Sequence, residues 1–149
     1  MQSITVQRIP EHSPAWHQLT DYAQNCSWIA GAHVAGMLRE NRFTDWEAVF
    51  AAFRGREIIG YCTFLKTDYY PENRYSPWIS SIFVAEKHRG PGVCGMLIEA
   101  TVRYAKACGF RTVYIPSDMT GFYERYGFCK IDELTNYGGD VDHVFARNI

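Results

Sequence analysis

The chain has 149 residues, 47% of them hydrophobic and 21% charged, with a formal net charge of −1 from 15 basic and 16 acidic side chains. This length suits one domain whose single core needs no staples, and the composition excludes a disordered tail or a fibre. The two signs are well mixed, which excludes a broad basic face for nucleic acid or an anionic membrane, so any anion site must be local.

Ile4 to Ile9 alternates as a short strand, and Pro10 and Pro14 interrupt it ahead of a helical stretch that Ser13 is placed to cap. Trp16, Leu19, Tyr22 and Ala23, then Val34, Met37 and Leu38, recur at helical spacing between Ala15 and Arg39. Gly31 and Gly36 weaken the middle of that stretch, so two short helices are expected. Trp46 to Phe53 and Glu57 to Leu65 are rich in aromatic and β-branched residues on either side of Arg54-Gly55-Arg56, a hairpin pattern. Lys66 to Pro77 carries Pro71, Asn73 and Pro77 among its tyrosines and reads as an exposed loop ahead of an apolar strand, Trp78 to Val84.

Further on, Met96, Leu97, Ala100, Thr101, Tyr104 and Cys108 mark one face of a helix that Gly109 ends in a left-handed cap. Thr112 to Ile115 reads as a buried strand and Thr120 to Tyr126 as a short helix stopped by Gly127. Phe128 to Ile131 and Asp142 to Ala146 read as closing strands, with no internal repeat and no linker along the way.

Cys26, Cys62, Cys94, Cys108 and Cys129 are scattered, with no CxxC pair and no His/Cys spacing for zinc, so reduced thiols and no metal are expected. The opening MQSITVQRIP lacks the apolar core of a signal peptide, and no apolar run reaches the roughly 18 residues of a membrane span. A soluble, cytoplasmic protein is the expectation.

The stretch Glu86-Lys87-His88-Arg89-Gly90-Pro91-Gly92-Val93-Cys94-Gly95 joins a strand to a helix N-terminus, where unpaired N–H groups and the helix dipole favour an anion. A tight turn needing positive φ angles is the plain alternative. Gly90, Gly92 and Gly95 also match G-x-G-x-x-G, with Asp118 near the distance at which a dinucleotide fold places its ribose carboxylate, which would make the chain an NAD-type oxidoreductase. Against that reading, the five residues between Val84 and Gly90 make the turn too long, and the preceding half of the chain looks antiparallel. A triphosphate-binding loop is excluded because Met96 and Leu97 follow Gly95 in place of Lys-Ser/Thr.

Ile82-Phe83-Val84 followed by Arg89-Gly90-Pro91-Gly92-Val93-Cys94 resembles the acetyl-CoA signature Q/R-x-x-G-x-G/A of the GNAT-type N-acetyltransferases. Arg89 and Gly92 fit its first two fixed positions, and Cys94 stands where the family prefers Gly or Ala, with Gly95 next to it. Thr120-Gly121-Phe122-Tyr123-Glu124-Arg125-Tyr126-Gly127-Phe128 is similar to the family's second motif, and Tyr123 matches its catalytic tyrosine. The resemblance implies an α/β (α+β) fold over residues 1–149 as one domain. Its mixed, mostly antiparallel sheet of about six or seven strands would be flanked by about four helices, with one parallel pair splayed around the cofactor.

The resemblance further implies that acetyl-CoA is the co-substrate. Main-chain N–H groups from Gly90 to Gly95 would hold its pyrophosphate, and the end of the strand Ile82 to Val84 would pair with its pantetheine. A neutral primary amine of a small molecule or peptide would attack the thioester directly, with the oxyanion held at a bulge at Phe83 to Val84. Tyr123 is then the general acid, since a phenol stays protonated at neutral pH. Asp118 is the first candidate for the base, although Ser117-Asp118 also reads as a helix cap, and Ser80, Ser81 and Glu47 are alternatives that would position a water. Cys94 lacks a partner histidine motif and is not read as a nucleophile. Substrate choice in the family falls to segments corresponding here to Gln24–Arg39 and Lys66–Pro77, where Tyr69, Tyr70, Glu72 and Tyr75 suit either a cationic acceptor or a homodimer contact. A non-catalytic acyl-CoA sensor is the alternative function.

Overall fold

The computed structural model describes residues 3–90 and 92–149. Seven strands form one sheet in the order β1-β2-β3-β4-β5-β7-β6. They are β1 (Ile4–Arg8), β2 (Ala48–Arg54), β3 (Glu57–Leu65), β4 (Trp78–Val84), β5 (Thr112–Ser117), β6 (Cys129–Thr135) and β7 (Val141–Asn148). Three α-helices, α1 (Pro14–Asn25), α2 (Gly31–Arg39) and α3 (Val93–Ala107), lie between them.

β2 is buried at six successive positions, which a half-covered strand with alternating polarity never shows. The cause is cover on both faces. Phe50 and Ala52 pack with Leu97, Ile98 and Val102 of α3. Val49, Ala51 and Phe53 pack with Trp16, Leu19, Val34 and Leu38 of α1 and α2. Ser13 caps α1 by accepting from the Trp16 N–H at 3.2 Å, and the Trp16 indole N–H donates to the Leu38 carbonyl at 3.0 Å, joining the two helices. β2 starts at Ala48 and not at Trp46, because Thr44 to Glu47 forms a turn closed by the Glu47 N–H on the Thr44 carbonyl.

β1 to β4 pair antiparallel, as do β5, β7 and β6. The two groups join through one parallel contact, Trp78 opposite Tyr114, after which β4 and β5 diverge. A sheet with a single parallel pair is not the doubly wound parallel sheet of a dinucleotide fold, so the NAD reading is overturned by topology. The expected fourth helix, Thr120 to Tyr126, is a 3-10 turn at Tyr123–Tyr126. Gly121 and Gly127 both adopt positive φ, at 79° and 85°, and leave too few residues between them for an α-helical nucleus. No helix among the described residues is long and apolar enough to cross a membrane.

Candidate active site

The first wall of the site is β4. Between the pairs Tyr61–Phe83 and Thr63–Ser80, β3 advances two residues while β4 advances three, so Ser81 and Ile82 share one opposing residue. Ser81 adopts φ 50°, in the left-handed region, to accommodate the extra residue. The bulge expected at Phe83 to Val84 therefore lies at Ser81–Ile82, while Phe83 and Val84 stay in register with Tyr61 and Gly60.

Where β4 and β5 diverge, the glycine loop enters. Gly92 adopts φ 86° at the start of α3, and no side chain caps that helix, so its first-turn N–H groups have no partner within the helix. Arg89 donates from Nε to the Val84 carbonyl at 2.8 Å and lies over the Phe83 ring, fixing the loop to the end of β4. His88 is buried, and its Nε2 has no hydrogen-bond partner among the described residues. A cleft of about 570 Å³ opens here. Of the residues expected to hold the cofactor, Ile82, Phe83, Val84, Arg89, Gly90, Gly92, Val93 and Cys94 line it. Pro91 lies outside the described residues. Gly95 does not line the cleft: a Cβ there would stand 2.8 Å from the Tyr126 ring, so this glycine serves close packing of α3 on the tyrosine turn. Burial pushes the Cys94 thiol up to about 11, which keeps it protonated and unsuited to nucleophilic work.

A second cavity, of about 1100 Å³, lies on the other side of Tyr123 between α2, the loop after β3 and the C-terminal end of β5. Tyr123, Ile82, Trp28 and Met119 line both cavities. Tyr123 is buried, packed edge-on against Phe122 at 4.9 Å, and desolvation raises its pKa well above the ordinary phenol value. Asp118 lines the second cavity from an exposed position, and the expected helix cap does not form: the Ser117 Oγ accepts from the Met119 N–H at 3.0 Å in a local turn, while the 3-10 turn at Tyr123–Tyr126 starts after Phe122 with no side-chain cap. Ser80 and Ser81 also line it. Glu47 lines neither cavity, because its carboxylate is committed to the N–H groups of Thr44 at 3.0 Å and Lys66 at 2.9 Å.

These features can be set beside known proteins. The model of the acetyltransferase (GNAT) family matches residues 7–128. The chain belongs to that family. No curated protein matches it. Among solved structures, this GNAT chain resembles aminoglycoside 6′-acetyltransferase type Ii at 18% identity and TM-score 0.75, covering 97% of this chain and 96% of that one. A GNAT family acetyltransferase from Elizabethkingia anophelis with acetyl-CoA bound matches at 18% identity and TM-score 0.64, covering 98% of each chain. The IAA acetyltransferase from Bacillus cereus matches at 19% and 0.64, covering 99% of this chain and all 100% of that one. At such identities the likeness is one of fold.

Two features of this acetyltransferase escaped the sequence reading. Asp68, in the loop after β3, lines the second cavity, where its carboxylate accepts from the Ser80 hydroxyl and from the Tyr69 N–H at 2.7 Å. Burial raises its pKa, against the opposing effect of those two hydrogen bonds and of His33. No local motif marks it, because its partner Ser80 belongs to the next strand. The second feature is the fate of the tyrosines. Tyr70 donates to Asp142 at 2.8 Å and Tyr75 to Asp132 at 2.7 Å, and Glu72 pairs with Arg74, so these three do not line the second cavity. Only Tyr69 among them lines the cavity; the loop is largely exposed, as expected, but Tyr70 and Tyr75 pin it to β7 and β6.

Proposed function

We propose that this GNAT-family enzyme is an N-acetyltransferase that holds acetyl-CoA in the glycine-loop cleft and acetylates a primary amine of a small molecule or peptide entering by the second cavity. The observation that carries the reading is the placement of Tyr123 on the wall shared by the two cavities. The residues of the first cleft fit the donor. The uncapped N-terminus of α3 and the unpartnered His88 Nε2 suit phosphate oxygens, with Arg89 and Arg125 on the same wall. The described Elizabethkingia anophelis relative has acetyl-CoA bound, and the 6′-acetyltransferase relative is named for an aminoglycoside, which supports a donor and an amine-bearing acceptor of these kinds.

When bound, acetyl-CoA supplies an activated acyl carbonyl and a thiolate leaving group. Tyr123, whose burial favours the protonated phenol, holds the proton that the departing sulfur requires. The bulge at Ser81–Ile82 leaves main-chain N–H groups free of the regular ladder, and we assign the oxyanion donor there. Five free cysteines suit a reducing compartment and a cytoplasmic enzyme, and we take residues 1–149 as one catalytic domain.

The test is calorimetric titration with acetyl-CoA, followed by thiol release over a panel holding phenethylamine, putrescine, an aminoglycoside and a short peptide. Binding with turnover of any panel member is the expected result. Binding without turnover would favour the acyl-CoA sensor, and no binding would overturn the reading.

A further inference from the structure

We infer that Asp68, held by Ser80, is the group that binds the acceptor's ammonium and takes its proton, in place of the exposed Asp118. The inference rests on the N-acetyltransferase reading above and deepens it.

The second cavity presents two carboxylates, Asp68 and Asp118. Asp118 sits at the exposed rim with no partner among the described residues to orient it, so water screens its charge. Asp68 is only partly open, and the opening is to the cavity. Its two oxygens are fixed separately, one by the Ser80 hydroxyl and the other by the Tyr69 N–H. Ser80 is followed directly by the Ser81–Ile82 bulge, so the carboxylate is anchored beside the strand segment to which we assign the oxyanion donor. Ile82 and Tyr123 lie on the same cavity wall.

The charged and titratable groups around Asp68 are His33 from α2, Arg42 after α2, Asp142 from β7, Asp118 after β5, and the phenols of Tyr69, Tyr70, Tyr123 and Tyr137. Arg42 is committed to Glu40 at 2.6 Å. Asp68 is thus the anchored anion of the cavity, and an ammonium is the complementary group. An amine of pKa near 10 arrives protonated and has no lone pair to attack with. Asp68 takes one proton and frees the lone pair. The C–N bond then forms, the C–S bond breaks, the sulfur receives the Tyr123 proton, and the second proton leaving the nitrogen restores Tyr123. One net proton leaves through Asp68 to solvent. Burial raises the pKa of Asp68, which brings it nearer to the range of an effective base.

The experiment compares wild type with Asp68→Asn and Asp118→Asn on two acceptors at pH 7.5. Phenethylamine is an ammonium there, whereas trifluoroethylamine is already neutral. We expect Asp68→Asn to lose about 100-fold in kcat/KM on phenethylamine and less than about 3-fold on trifluoroethylamine. Its rate on phenethylamine should climb towards the amine's own pKa, with acetyl-CoA affinity unchanged. Unchanged acetyl-CoA binding also reports that the variant is folded. An equal loss on both amines, or an unchanged pH profile, would overturn the assignment and leave the acetyltransferase reading standing. A wild type inert to every amine in the panel would overturn that reading and this one with it.

Discussion

The Ser80 hydroxyl donates to the Asp68 carboxylate across the gap between β4 and the loop after β3, on the wall of the second cavity. Burial, the largest influence on this carboxylate, raises its pKa, so the folded chain holds the proton more tightly than the unfolded chain does. The stability tied to that proton is present below the ordinary carboxylate range and is lost as pH rises through the folded-state value. Asp68→Asn, which mimics the neutral form, should therefore melt above wild type at neutral pH, and the gap should close on acidification towards pH about 4. Melting curves by circular dichroism across that range check the sign.

Tyr123→Phe removes the phenol hydroxyl and leaves the ring that packs on Phe122 and Phe145. We expect kcat to fall by about 100-fold or more with acetyl-CoA affinity unchanged. Because the tyrosine pKa is raised, wild-type kcat should show no loss from Tyr123 ionisation up to pH about 10. Stopped thiol-release assays over pH measure both.

A Cβ at Gly92 would meet nothing within 4 Å, so the cost of Gly92→Ala lies in the backbone alone at φ 86°. That conformation costs an L-residue roughly 1–2 kcal/mol. Gly92→Glu carries the same cost and adds a carboxylate at the N-terminal end of α3, where we propose that the pyrophosphate binds. The alanine variant should retain acetyl-CoA binding within about 10-fold, and the glutamate variant should lose a further 10-fold or more that high salt partly restores. Calorimetry at two ionic strengths separates the two effects.

Thiol reactivity follows burial. Cys108 and Cys129 are exposed, whereas burial lifts Cys94 to about 11 and Cys62 to about 12. Iodoacetamide at pH 7.5 should modify Cys108 and Cys129 first, with Cys94 and Cys62 lagging, as followed by mass spectrometry of peptides.

The strands and the left-handed glycines were legible because their causes are local. Apolar runs mark β2 to β4, and Gly92 and Gly127 stand where positive φ is needed. The bulge was misplaced because Ser81 takes positive φ without being glycine or asparagine, which leaves no compositional mark. Asp68 and the inward turn of Tyr70 and Tyr75 depend on partners 12, 72 and 57 residues away in sequence, beyond the reach of periodicity or spacing. Asp118 stands just past the end of β5, as its place in the sequence suggested, but its exposure there, and the partial burial of Asp68, depend on packing between distant segments that no local pattern records.

The single contact between Trp78 and Tyr114 has a consequence for association. An unpaired strand edge normally faces solvent and invites another polypeptide to add to it. After that contact, β4 and β5 turn such edges towards each other within the molecule, beside residues of the glycine loop and the tyrosine turn that line the cleft. Their main-chain groups face the cleft and not the outer border of the sheet. Among the described residues β1 and β6 form the outer borders of the sheet, and β6 carries Lys130, Asp132 and Glu133 along its length, charges of the kind that discourage strand-to-strand aggregation.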